Sequence, residues 1–252
     1  MKKTLLFVVM LLALALVFAA RIQAGEEGGG ETAKPDCYVY VNGIVGTVET
    51  QAADAEDKEA WAAATLNQCL NVGDKVRTSE DGKAAVIYGD AIQTRINATS
   101  TVTIAQSEES EQPDSMGLDV GEMFTDMNRE LAGENAQFKI NTPSGVVAVR
   151  GTQFNVKVDT EGKSIINVLD GVVAVFNELG EVLAEAGKAT EMLKGIIPAN
   201  PFDFNIEDFQ KQLDSWKDAI SIGKALEAVK EKVEEKKQEL EEKLDVKKKF
   251  GF

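Results

Sequence analysis

From position 37 onward the chain is written in short alternating or β-branched runs, most of them followed closely by a glycine, and few folds accommodate that pattern. The runs are YVYVNGIVGTVET, DKVRTS, KAAVIYG, AIQTRIN, STVTIA, LDVGEMF, AQFKIN, GVVAVRG, TQFNVKVD, SIINVLDG, VVAVFNE and EVLAEAG. Alternation puts every second side chain on one face, so each run reads as a strand that hides one side only. Glycines suited to tight corners fall between them, in EDGK at 80–83, TEGK at 160–163, LDG at 169–171 and ELGE at 178–181. About a dozen such strands predict an all-β body over residues 37–195. Pattern alone leaves a sandwich and a solenoid both open, and the units are too unequal for a strict repeat protein. One interval interrupts the series. Residues 51–68, QAADAEDKEAWAAATLNQ, are rich in Ala and acidic residues and read as a short surface helix near Trp61 or as an inserted loop.

The segments flanking the β body have different characters. Residues 1–24 open with Lys2 and Lys3, continue as an apolar run of 16 residues over 5–20, and reach small residues suited to cleavage after Ala19 or Ala24. They read as a secretory signal peptide. A span needs about 20 apolar residues and Arg21 interrupts the run, so no stable membrane span is expected after cleavage. Residues 25–36, Gly- and Glu-rich, read as a flexible leader. Export implies an oxidising compartment, in which Cys37 and Cys69, 32 positions apart, can pair; two small buried thiols are the alternative. After a linker at 196–204, residues 205–249 predict a long charged helix, capped by Asn205 and started by a Phe204/Phe209 staple. Its apolar stripe changes phase near Gly223, and its second half is either a weak coiled coil, giving self-association, or a solvated single helix.

Charge and composition narrow the function classes. Residues 25–210 carry 13 basic and 32 acidic side chains, whereas residues 211–252 carry 11 and 10, within a total of −15. An acidic body repels phosphate backbones, so nucleic acid is not an expected partner. Histidine is absent and there are only two cysteines, which leaves no Cys/His zinc site and no histidine-based catalysis. Ser221 and Lys224 have an S-x-x-K spacing without its S-D-N or K-T-G companions and read as part of a surface helix. The pairs Glu108/Glu109 and Asp159/Glu161 lie in polar turns with no apolar setting to raise a pKa. No D-x-[DN]-x-[DN]-G calcium loop occurs. No catalytic residue, metal site or cofactor is expected.

A family resemblance emerges in the stretch TPSGVVAVRGTQFNVKVDTEGKSIINVLDGVVAVFN, residues 142–177. It resembles the core signature of the FecR domain family, in which T-P leads through a hydrophobic strand to R-G-T and two further strands end in an L-x-G turn. Upstream, Val41, Gly43 and Val45, Trp61 in a variable insertion, the segment at 70–78 and L-x-V-G-E at 118–122 are similar to FecR elements in family order; G-E-V at 180–182 opens a segment similar to the closing strand. The resemblance implies a β-rich, envelope-facing fold, best known from the sensor half of anti-sigma regulators that receive a signal from an outer-membrane receptor. Only MKKT precedes the apolar run, so the sigma-binding segment is not expected and sigma antagonism is not carried over.

The motif residues Thr142, Pro143, Gly145, Arg150, Gly151, Thr152 and Gly171 are expected to be architectural. Pro143 suits a strand entry, and Gly145 and Gly151 permit backbone that other residues resist. Arg150 has two readings: an anion ligand, since a guanidinium can hold a carboxylate bidentately, or, favoured, a fastener of a corner to backbone carbonyls or to an acid such as Asp170. The expected architecture is therefore mainly β, solenoid-like or sandwich-like, followed by a long C-terminal α-helical segment. The expected function is a noncatalytic, exported bacterial interaction module, periplasmic or extracellular, whose partner is an envelope protein or cell-wall glycan. The alternative is a periplasmic signal-relay component that works with a separate membrane regulator or sigma-factor system.

Overall fold

Among the described residues there are sixteen strands, most of them formed by the β-branched runs. In chain order they are β1 (Val39–Val45), β2 (Val48–Gln51), β3 (Ala62–Ala63), β4 (Lys75–Thr78), β5 (Lys83–Tyr88), β6 (Ile92–Ile96), β7 (Ser100–Ala105) and β8 (Ser115–Met127). There follow β9 (Phe138–Thr142), β10 (Gly145–Val149), β11 (Gln153–Val158), β12 (Ser164–Asp170), β13 (Val172–Asn177), β14 (Gly180–Glu185), β15 (Lys188–Met192) and β16 (Phe202–Asp203). The computed structural model describes residues 35–214 apart from 58, 109, 134, 135, 208 and 212.

Two sheets share one strand. Sheet A runs β1-β5-β6-β8-β11-β12-β15-β16, and sheet B runs β3-β2-β4-β7-β8-β9-β10-β13-β14. All neighbours are antiparallel except β8 and β9. Strand β8 pairs with β7 and β9 through its first half and with β6 and β11 through its second, so the chain passes from one sheet to the other at Gly121. There φ is +108°, and a Cβ would fall 2.4 Å from Ser100 Cα. Ser100 repairs the ladder at the crossing, its hydroxyl accepting from Glu122 N–H at 3.0 Å. After the first strands, consecutive hairpins alternate between the sheets while each sheet grows in sequence order. The body is thus a two-layer structure with a solenoid-like progression, which reconciles the two architectures that periodicity left open.

The alternation in the sequence becomes an inward and an outward face. Val147, Val149, Val173 and Val175 of sheet B are fully or almost fully buried, as are Val86, Phe154, Val156 and Ile166 of sheet A, and they join in one core. Tyr88 of sheet A meets Phe138 of sheet B edge to face, with ring centroids 5.0 Å apart. Its hydroxyl donates to the Ser115 carbonyl at 3.2 Å. Burial, with Asp114 and Tyr38 nearby, raises the Tyr88 pKa well above its ordinary 10.0. A phenol whose pKa is raised by folding contributes stability that is complete below the unfolded value and is lost as pH rises past it. The protein is therefore expected to lose stability above about pH 10, and Tyr88→Phe to flatten that loss while costing about 1 kcal/mol near neutrality. Melting curves from pH 7 to 11 check this; an equally steep alkaline loss in the variant would assign it elsewhere.

After Gln51, which ends β2, the described residues up to 68 form a loop with the two-residue strand β3 rather than a helix. Backbone bonds from Val41 N–H to Gln68 O and from Leu70 N–H to Val39 O, each 2.9 Å, run the end of this insertion alongside β1. Cys37 and Cys69 are joined by a disulfide, with Cα atoms 6.0 Å apart.

The expected C-terminal architecture is corrected. The protein is mainly β, and its described helical residues are confined to α1 (Arg129–Ala132) and a stretch within 206–214. No long helical segment follows the β body among the described residues. Asn205 Oδ1 accepts from Glu207 N–H at 3.0 Å, and Phe204 meets Phe209 with centroids 6.0 Å apart, so the local start signals are used. Phe209 and Leu213 line a small hollow against the outer face of sheet A. Periodicity records which residues can share a face, whereas a helix in a protein is held chiefly by burying that face. Residues 215–252, with most of the expected helix, its coiled-coil alternative and the Ser221/Lys224 pair, lie outside the described residues, as do the expected signal peptide and most of the leader.

Candidate functional site

The motif residues gather at two places. At the hairpin between β9 and β10, Thr142 Oγ1 donates to the Gly145 carbonyl at 2.9 Å and accepts from Ser164 Oγ at 3.0 Å. The Ser144 and Ser164 hydroxyls are 2.7 Å apart. This buried hydroxyl cluster ties a sheet B hairpin to the first residue of β12 in sheet A. Pro143 occupies the turn, where Gly162 approaches it, and a Cβ on Gly145 would fall 2.5 Å from the Phe176 carbonyl oxygen. With no acid, amide or imidazole in this hydroxyl network, its geometry is that of a fastening.

The R-G-T and L-D-G corners meet at the opposite end of β10. Gly151 has φ of +71°, and a Cβ there would lie 2.3 Å from Arg129 Cβ, so α1 presses on the corner. A Cβ on Gly171 would lie 2.6 Å from Cγ2 of the buried Thr152. Between these corners and the outer face of sheet B opens a cleft of about 350 Å³. Arg129, Gln137 and Arg150 supply its polar side, and Val172, Ala174 and Leu183 its apolar side. Val172 and Leu183 are 48% and 61% exposed, large values for aliphatic side chains on a sheet.

Pairing explains why these residues converge. Val149 is opposite Phe138 and Val173, which places Gln137 beside Arg150 and Val172 beyond it. Ala148, Ala174 and Leu183 form the next row, with Lys139 at its end. With the Gln137 amide oriented to suit its neighbours, its Oε1 accepts from Arg150 Nε at 2.9 Å and Nη2 at 2.5 Å. Arg150 therefore has Gln137 as its partner rather than Asp170. Among the described residues neither Arg129 nor Arg150 is within salt-bridge distance of a carboxylate, although acids far outnumber bases in this body. Glu181 and Glu185 lie out on β14 and do not line the cleft. Because Arg150 is solvent-exposed and makes one amide contact, Arg150→Ala is expected to shift the melting temperature by less than about 2 °C. A fall of 5 °C or more would restore the corner-fastening role.

The outer face of sheet A carries a second polar group, centred on Glu122. Glu122 accepts from Asn97 Nδ2 at 2.8 Å and Asn155 Nδ2 at 3.2 Å, and Asn167 donates to Asn155 at 3.2 Å. Arg95 lies over the Phe124 ring and donates to Gln93. Burial lowers the Arg95 pKa, with Asp126 opposing the shift. Asp159 Oδ1 accepts from the N–H groups of Glu161 and Lys163, the bonding of a polar turn. Among the described residues no three acidic or Cys side chains converge on a metal position, and no helix is long and apolar enough to cross a membrane.

The two-layer β body with a cleft at its R-G-T corner is similar to known proteins over part of its length. Residues 74–174 match the family described as FecR protein. The match holds the Thr142, Arg150 and Gly171 motif and stops short of β1, β2, the disulfide and β14 to β16. No curated protein matches the chain. Two crystal structures, at 1.65 and 2.50 Å, of a protein from Parabacteroides distasonis ATCC 8503 provisionally described as an anti-sigma factor are similar to it. Each is 18% identical with a TM-score of 0.46 over 55% of this chain. The chain covers 64% and 63% of them, under two thirds of their length.

Sequence reading singled out Arg150, Gly151 and Gly171 but missed Arg129, Gln137, Val172 and Leu183. Gln137 and Arg150 are 13 positions apart and meet only through the β9–β10 register. The polar Gln137 just before an alternating run was the one available signal.

Proposed function

We propose that this protein is a noncatalytic, exported interaction module of the bacterial envelope, with the outer face of sheet B as its recognition surface. The observation that carries the reading is the cleft at the family motif, where two arginines that meet no carboxylate among the described residues share one concave surface with exposed aliphatic side chains. The Lys2/Lys3 and apolar N-terminal pattern supports export, and the disulfide suits an oxidising compartment. The partner is an envelope protein or a cell-wall glycan. The FecR domain favours a second, more specific role in signal relay beside a separate membrane regulator.

Site-specific photocrosslinking in cells tests the surface. A crosslinker at Leu183, on the outer face of sheet B, is expected to capture a defined envelope protein or glycan, whereas one at Lys157 on β11 is not. Equal capture at both positions, or none at Leu183, would remove sheet B as the recognition surface. Capture of a membrane regulator at Leu183 would select the relay role.

A further inference from the structure

We propose that the Arg129/Arg150 cleft binds a carboxylate of a polypeptide partner, with the apolar side chain next to that carboxylate resting on Val172, Ala174 and Leu183; this assignment rests on the interaction role proposed above. A guanidinium presents two edges, and Gln137 takes the Nε/Nη2 edge of Arg150. The Nη1/Nη2 edge remains, with two N–H groups spaced for the two oxygens of a carboxylate. Gln137 also holds the guanidinium plane before a ligand arrives, which lowers the ordering cost of binding.

Arg129 is brought to the same cleft by the close packing of α1 on Gly151, a contact any side chain at 151 would push apart. Lys139, in the row beside them, adds positive charge to that end of the sheet face. The charge complementarity is specific. In a body with 32 acids and 13 bases over residues 25–210, these two guanidinium groups meet no carboxylate among the described residues, and no acid among the described residues lines the cleft, Glu185 standing beyond Val172 on β14. The aliphatic wall favours a peptide over a bare anion, since inorganic phosphate would leave Val172 and Leu183 uncovered. A cleft of about 350 Å³ is at the small end of ligand sites and suits a short segment.

The test uses the full mature chain and four probes followed by amide NMR shifts. They are acetyl-Gly-Val-Leu as the free acid, the same peptide as its C-terminal amide, acetyl-Val-Asp-Leu amide, and inorganic phosphate. The free acid or the Asp peptide is expected to shift Gly151, Gly171 and Val172 and to bind at least about tenfold tighter than the uncharged amide. Whichever binds tells a chain terminus from an acidic side chain. Arg150→Gln and Arg129→Gln are each expected to weaken that binding about tenfold with the melting temperature held, and Arg150→Lys, which keeps the charge but loses the fork, to restore only part of it. Carboxylate and amide probes binding alike, phosphate matching the peptides, or no shift at the cleft would each overturn the assignment. Crosslinking at Leu183 that persists after such a failure would leave the recognition surface standing and remove only its ligand chemistry.

Discussion

Gly121→Ala is expected to destabilise the protein by about 3 to 5 kcal/mol and to lower its melting temperature by about 10 °C or more. Two costs combine at this position. A φ of +108° is one that an L side chain adopts only under strain, and the new Cβ would lie 2.2 Å from Ser100 Oγ and 2.4 Å from Ser100 Cα. Ser100 has no room to yield. It is 1% exposed, pairs with Thr78, and supplies the hydroxyl that bonds Glu122 N–H where β8 changes sheets. Two glycines separate the costs. Gly133 shares the unusual backbone, with φ +92° and ψ 159° in a region essentially restricted to glycine, but has nothing within 4 Å, so Gly133→Ala is expected to cost the backbone strain alone, about 1 to 3 kcal/mol. Gly117, on β8 itself, has ordinary backbone and a nearest contact of 3.6 Å, and Gly117→Ala is expected to be near neutral. Chemical denaturation of the three variants checks the order; Gly121→Ala no worse than Gly133→Ala would mean that the crossing strand is not packed on Ser100.

Opening the Cys37–Cys69 disulfide is the second large effect. A crosslink over 32 positions lowers the entropy of the unfolded chain, and in that model its loss costs about 3 to 4 kcal/mol, or about 10 °C in melting temperature. The native structure has a further stake in the bond. Cys69 bridges Tyr40 in the β1 region, and the crosslink holds the insertion that begins after β2 against that strand. Calorimetry with and without reductant, together with Cys37→Ser/Cys69→Ser, measures the loss. Limited proteolysis of the reduced protein is expected to cut first within residues 52–60, which are mostly exposed. An unchanged melting temperature after verified reduction would show that the backbone bonds alone fasten the insertion.

Much of the β body was legible because strand periodicity is a local property. Val147, Val149, Val173 and Val175 alternate with Val146, Ala148, Val172 and Ala174, and the first set is buried while the second faces outward. The C-terminal reading went further than its residues allow. Asn205, Phe204 and Phe209 are real start signals, yet a cap and a staple begin a helix without determining how far it continues. Tyr88 and Phe138 show another limit, since nothing in two aromatic residues 50 positions apart states that they meet across two sheets.

Sequence by itself determined the strand-rich character of residues 37–195, the inward and outward alternation, the glycine corners and the motif that the FecR match confirms. Those features depend on neighbours a few positions apart and on the backbone freedom of single residues. Only the tertiary structure decided that β8 serves both sheets, and that Gln137, Arg129 and Leu183 surround Arg150. Register is the physical reason. The hydrogen-bond ladder between β9, β10, β13 and β14 sets which distant side chains share a row, and a slip of one residue would have sent the same side chains to opposite faces.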